Sequence, residues 1–243
     1  MGSLMAHPDI YHVTPITRNE ALVAVCKPRP RNLLVSMYRP DQLQLAQING
    51  AKLLADHGRF STWIAAMRAG KDWSDSDVPR DVYYRWLEPW IWGDRATAIM
   101  PDIPGAPSQL NDSELLDWPF PIEKGLPVYH MDGPIARFGR LLAIYPRVAM
   151  GWIGDPKREP VGCEAYLRRI DEIEAELGPD IWPHVHMLRG VAVAGVRPFR
   201  RSRQQQPRSK RTPARLARYA STLRQAGKVA GAADLRRSFG GQR

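Results

Sequence analysis

Two aspartates in this chain each end an apolar run beside a glycine turn, and that placement is the first sign of chemistry. The run that begins at Lys52 stops at Asp56, with Gly58 two residues on and Ser61 following. The run that begins at Thr97 stops at Asp102, ahead of Ile103-Pro104-Gly105. Carboxylates at the C-terminal ends of parallel strands lie where α/β proteins gather acid–base and binding groups. One such aspartate alone would more simply cap a turn or a helix. Two in successive β-α units point to proton transfer, or to a carboxylate that accepts paired N–H donors. A third expected strand, which contains His130, again ends in an acid and a glycine, Asp132-Gly133. Gly151-Trp152-Ile153-Gly154 is a glycine-flanked loop that suits the approach of a flat ligand, and Arg189-Gly190 ends a later run. His130, His184 and His186 offer imidazoles, but their spacing supplies no third metal ligand, so no metal and no cofactor is expected. Cys163 opens a helical pattern without a base partner in the sequence.

The elements that must position these residues alternate. Buried strands are expected over residues 32–38, 52–56, 97–102, 126–131, 147–151 and 183–188. Helices are expected over 42–48, 61–69, 108–118, 135–145 and 162–177. Ser61 is expected to cap the second helix. The aromatic-dense stretch 82–92, with Tyr83, Tyr84, Trp86, Trp90 and Trp92, reads as core packing rather than a base-stacking platform. Residues 1–30, with four prolines, read as irregular. Alternating β and α units imply a parallel sheet. Functional residue types at several strand ends favour a (β/α) barrel of TIM type over an open doubly wound sheet. Neither GxGxxG nor GxxxxGK[ST] occurs, so those phosphate-binding loops have no motif here.

The net charge of +10 is unevenly placed. Residues 197–243 hold 14 Lys/Arg and one acid, Asp234, which leaves 21 basic and 24 acidic residues before them. All 8 Trp also precede residue 197. The chain therefore divides into an N-terminal segment 1–30, a body 31–199 and a basic tail 200–243. The tail reads either as a disordered segment or as an arm whose clustered cations bind nucleic acid by releasing counterions. Two isolated cysteines and no apolar run of about 18 residues lead to the expectation of a reducing, cytoplasmic setting without a membrane partner.

Taken together, Ala55-Asp56-His57-Gly58-Arg59-Phe60-Ser61, Met100-Pro101-Asp102-Ile103-Pro104-Gly105, Asn111-Asp112, Pro127-Val128-Tyr129-His130, Arg147-Val148-Ala149-Met150-Gly151 and Val185-His186-Met187-Leu188-Arg189-Gly190 resemble the deazapurine DNA-modification transglycosylases. These are phage and bacterial relatives of the queuine tRNA-ribosyltransferases. The resemblance covers roughly residues 30–199, and it rests on the order and spacing of the motifs. It implies a (β/α)₈ barrel that exchanges a purine on nucleic acid, DNA rather than tRNA, for a 7-deazaguanine base. By motif position, Asp56 matches the acid/base aspartate and Asp102 the aspartate that recognises the nucleobase. Ser61, His130, Gly151, Gly154 and Gly190 match positions around the base. The family's nucleophilic aspartate has no counterpart. Where its Asp-Ser motif belongs, the chain reads Pro198-Phe199-Arg200-Arg201-Ser202, and no acid occurs between Asp180 and Asp234. Codons for the start of the tail can be chosen so that a one-base shift restores an Asp-Ser string. A shifted frame, and with it a barrel incomplete at its C-terminal end, is therefore a further reading of residues 200–243. The alternative is a non-catalytic nucleic-acid-binding protein acting through that tail.

Overall fold

Eight short parallel strands alternate with helices in a computed structural model that describes residues 10–13, 18–26, 32–38, 40–74, 78–154 and 157–193. In chain order they run β1 (Tyr11–Val13), α1 (Asn19–Cys26), β2 (Asn32–Ser36), α2 (Leu43–Ile48), β3 (Lys52–Asp56), α3 (Arg59–Arg68), α4 (Arg80–Leu87) and β4 (Ala96–Ile99). Then follow α5 (Ser108–Leu116), β5 (Gly125–Leu126), β6 (Val128–His130), α6 (Ile135–Ile144), β7 (Val148–Gly151), α7 (Glu164–Leu177) and β8 (Val185–Met187). Every pairing is between neighbours in the chain, in the orders β1-β2-β3-β4-β5 and β6-β7-β8. The two sheets meet in one extended segment, 125–130, interrupted at Pro127. A proline has no N–H to give a ladder, but its carbonyl still accepts from Ala149 N–H at 2.9 Å. The fold is thus mixed α/β with parallel sheets, as the alternating pattern implies.

Period-two alternation divides the strand residues between two faces. Leu33, Val35 and Leu53 pack with Leu22 and Cys26 of α1 and Ala46 of α2. Ala55 and Ala98 pack with Tyr83 and Leu87 of α4. Tyr129, Val148 and Met150 pack with Phe138, Leu141, Tyr166 and Ile170 of α6 and α7. The other face converges on a single inner cluster: Tyr11, Leu34, Leu54, Ile99, Leu126, Val128 and Ala149, with Leu188 against them. The first and last strands meet through side chains, the rings of Tyr11 and His186 lying edge-on at 5.1 Å. Among the described residues no helix is long and apolar enough to cross a membrane.

Besides shifts of one or two residues at other element ends and the helix α4 in the aromatic stretch, the structure differs from the sequence expectation in four places. Residues 1–30 are not wholly irregular, because they contain β1 and α1. Three residues are too few to show a period, and β1 is held by its ladder with β2. The helix expected from Ser61 begins at Arg59, because Gly58 at φ +82° takes the preceding position and no side chain caps it. Ser61 therefore lies within the first turn. The strand expected over 97–102 ends at Ile99, which leaves Asp102 on a loop. The strand expected over 126–131 is split at Pro127. The basic tail, residues 200–243, lies outside the described residues.

Gly125 shows how tightly the strand ends are packed. A Cβ there would come within 2.8 Å of Met100 Sδ and 3.0 Å of Trp118 Cε2, and Met100 is fully buried. Gly125→Ala is expected to lower stability by about 1–2 kcal/mol. The clash outweighs the smaller gain from a less flexible unfolded chain. A fall in the urea midpoint without a change in slope is the expected readout.

Candidate functional site

Just past the ends of β3 and β4 and at the last residue of β6, one carboxylate is clamped between two imidazoles. His57 Nε2 lies 2.9 Å from Asp102 Oδ1, and His130 Nε2 lies 2.6 Å from Asp102 Oδ2. All three residues are buried. The backbone N–H of Arg59 donates to His57 Nδ1 at 3.0 Å. That nitrogen must therefore be an acceptor, so the His57 proton is on Nε2 and is donated to Asp102. Burial pushes the Asp102 carboxyl pKa up, but the hydrogen bonds from His130 and His57 outweigh it. They hold Asp102 well below the usual carboxylate range, so it is ionised.

The surrounding residues fix this clamp from behind. Tyr83 of α4 sets its ring edge against His57 at 5.7 Å and donates its hydroxyl to Ile99 O at 3.0 Å. Burial, and then the charge of Asp56, raise the Tyr83 pKa, so the phenol stays a donor. Arg59 is 2% exposed. Its guanidinium donates to Glu114 Oε2 at 2.8 Å, to Asp102 O at 3.3 Å and to Val78 O at 3.2 Å. Asn111 of α5 accepts from Ile103 N–H at 2.7 Å and donates to Ile103 O at 3.3 Å and Ala106 O at 3.4 Å, which pins the loop after Asp102.

Asp56 is held differently. Its Oδ1 accepts from Gly58 N–H at 3.0 Å, the turn-capping bond expected of an isolated aspartate at this position. Its Oδ2 has no partner among the described residues. A side chain at Gly58 would also meet Ser36 Oγ at 3.2 Å, so the tight turn places Asp56 by both backbone angle and space.

A cavity of about 640 Å³ joins these groups. Of the residues singled out from the sequence, Asp56, Ser61, Asp102, His130, Gly151 and Gly190 all line it, and His57 joins them. Gly154 does not line it. A Cβ there would fall 2.4 Å from Trp152 Nε1, so that glycine answers to local packing. Gly190 is likewise explained by its neighbour, since a Cβ would come 2.6 Å from Met187 Cβ. Gly151 has ordinary room: its nearest contact would be Leu188 at 3.6 Å. His186 points into the cavity, whereas His184 Nδ1 lies outside it, 3.1 Å from Pro146 O. Among the described residues no cluster of His, Cys, Asp or Glu has the arrangement to hold a metal ion.

At the rim, Arg189 is the one described non-glycine residue with positive φ, at +60°. Its guanidinium stacks on Phe60 of α3, 4.2 Å from the ring centre, and donates to Trp152 O. The contact ties the end of β8 to the start of α3 and to the loop after β7. Sequence reading missed His57, Arg59, Glu114 and Arg189 as contributors. The first two lie within the Asp56 motif, but nothing local in the sequence marks them as buried, because their partners lie on other elements.

Chemically, the cavity offers an ionised carboxylate of fixed orientation, a second carboxylate with an open oxygen, and two imidazoles. Comparison of the chain with family models, curated proteins and solved structures found no match.

Proposed function

We propose that this chain is a base-exchange glycosyltransferase of the deazapurine transglycosylase type, acting on nucleic acid, with DNA favoured over tRNA. The fold that goes with this reading is a (β/α) barrel incomplete at its C-terminal end. Three features support it: strands paired in chain order, one inner cluster drawn from successive strands, and the side-chain contact between β1 and β8. The observation that carries the functional reading is the shared cavity in which Asp56 stands with an open oxygen beside the clamped Asp102.

Asp102 is the base-recognising group in this reading. A carboxylate has about four acceptor positions, and the two imidazoles occupy two of them. The remaining lone pairs accept N–H donors from the edge of a guanine-like base. The histidines fix the orientation of the carboxylate before the base arrives, so little is lost in ordering it. Asp56 is the acid/base. When the glycosidic bond breaks, its electron pair goes to the departing base, which takes up a proton. The incoming base gives up a proton as its own bond forms. Asp56 supplies and receives that proton. No residue is assigned as nucleophile, because no acid lies between Asp180 and Asp234.

The test is incorporation of labelled 7-deazaguanine into duplex DNA by the purified full chain, with tRNA as the parallel substrate. Asp56→Asn is expected to slow exchange by roughly 10²–10⁴-fold, the usual contribution of general acid–base catalysis, while base binding changes only a few-fold. Equal exchange rates in the two proteins would remove Asp56 from the chemistry. Exchange absent from a folded wild-type sample would remove the activity from this chain.

A further inference from the structure

The carboxylates occupy only one end of the cavity, and its other end is lined by cations. Tyr11 opens β1, Lys52 opens β3, and Arg147 immediately precedes β7; all three line the cavity. The ladders set Tyr11 beside Asn32 and Asn32 beside Lys52, so Tyr11 and Lys52 lie at one level of the sheet. Arg147 reaches the same place from the start of β7, the strand paired with β8. Its guanidinium carbon is 5.8 Å from the Tyr11 ring centre, and Nη1 donates to the Tyr11 hydroxyl at 3.4 Å. His186 of β8 completes the end, edge-on to Tyr11.

Neither Lys52 nor Arg147 forms an ion pair with a carboxylate among the described residues. Both are partly buried, so each has lost hydration, and no carboxylate among the described residues compensates it. Lysine at position 52 is notable for its alternation: Lys52, Leu54 and Asp56 take the inward places of β3, one cation and one carboxylate at its two ends.

We propose that this end of the cavity is a phosphate site, in which Lys52 and Arg147 flank the phosphate group of a small phosphorylated compound and the Tyr11 hydroxyl donates to it. Two positive charges match a phosphate dianion better than a single carboxylate. The planar guanidinium fork suits two phosphate oxygens, and the lysine ammonium adds a mobile point charge. The site stands on residues that take no part in the base-exchange reading and does not depend on it.

His186 supplies an internal reporter. Burial, and then the charge of Arg147, push its pKa down to about 4, so the ring is neutral at neutral pH. The groups that face it are Tyr11 from β1 and Arg147 ahead of β7. A bound phosphate offsets the charge of Arg147 and favours the imidazolium, so the midpoint must move up when the site fills.

The experiment is calorimetric titration of the full chain with inorganic phosphate at neutral pH, with acetate as the monoanionic comparison. Histidine ring resonances are followed by NMR on the same sample. Saturable phosphate binding is expected, at least about tenfold tighter than acetate and weakened about tenfold or more in Lys52→Gln and in Arg147→Gln. The His186 midpoint is expected to rise in phosphate in the wild-type protein. Asp56→Asn, at the opposite end, is expected to bind phosphate as the wild type does. Absence of saturable phosphate binding to the wild-type chain overturns the proposal without recourse to any variant. So does equal affinity for phosphate in both cation variants, equal affinity for acetate and phosphate, or an unmoved His186 at saturating phosphate.

Discussion

Replacing Glu114 by alanine is expected to destabilise the protein by about 3–5 kcal/mol, the cost of leaving a buried charge without its partner. Arg59 is 2% exposed and Glu114 8% exposed, and they meet at 2.8 Å. The second cation on Glu114, Arg80, is much more exposed and lies at 3.1 Å, so its loss adds little. The large term is the Arg59 guanidinium, which keeps its backbone acceptors at Val78 and Asp102 but loses its counter-ion. Urea unfolding is the measurement. The double change Arg59→Met with Glu114→Leu should recover much of the loss, because an apolar pair of similar size avoids the desolvation cost of both ions. A single-variant loss below about 1 kcal/mol would show that water reaches Arg59 and that the pair behaves as a surface salt bridge. The same substitution should disturb the cavity, since Arg59 holds both the Asp102 carbonyl and, through its backbone, the imidazole of His57.

That network explains which parts of the site were readable in the sequence. Asp56 was readable because everything that places it is local: the run Lys52–Asp56, the stop, and the glycine two residues later. The strand has the bounds expected for it. Asp102 was readable as a carboxylate following a strand, but neither the loop that carries it nor its clamp was. Its partners lie 45 and 28 residues away, on other elements, and no period links them. Arg59 was harder still. In sequence it looks like a solvated residue at the start of a helix, and only its ion pair 55 residues on makes burial tolerable. Lys52 was read simply as the first residue of a strand. Its alternation with Leu54 and Asp56 acquires meaning once the neighbouring strands bring Tyr11 and Arg147 to the same end. Short strands such as β1 carry too few residues to show a period, so their pairing comes from the partner strand rather than their own pattern.

Asp102→Asn separates the two histidines, because only one of them can adapt. The amide offers an acceptor on one side and a donor on the other, whereas the carboxylate accepts on both. His57 cannot change tautomer without losing the bond from Arg59 N–H to its Nδ1. The amide oxygen is therefore expected to face His57, and His130 is expected to move its proton to Nδ1 so that Nε2 can accept. Nitrogen-detected NMR should show that switch at His130 alone. Loss of two charge-assisted hydrogen bonds is expected to cost roughly 2–4 kcal/mol at neutral pH. The pH dependence gives the sign. The carboxyl of Asp102 lies below its ordinary value of 3.8 in the folded state. The unfolded chain therefore takes up this proton first as the solution is acidified. The stability that Asp102 contributes is complete above pH 3.8 and is lost as pH falls from there toward its folded value. The part of the gap between wild type and Asp102→Asn that comes from this carboxyl should then shrink as pH falls below 3.8, by up to about 1.4 kcal/mol per unit. A gap that stays constant or widens in acid would mean that Asp102 is not held ionised by the imidazoles. A tautomer switch at His57 instead of His130 would overturn the assignment of its proton.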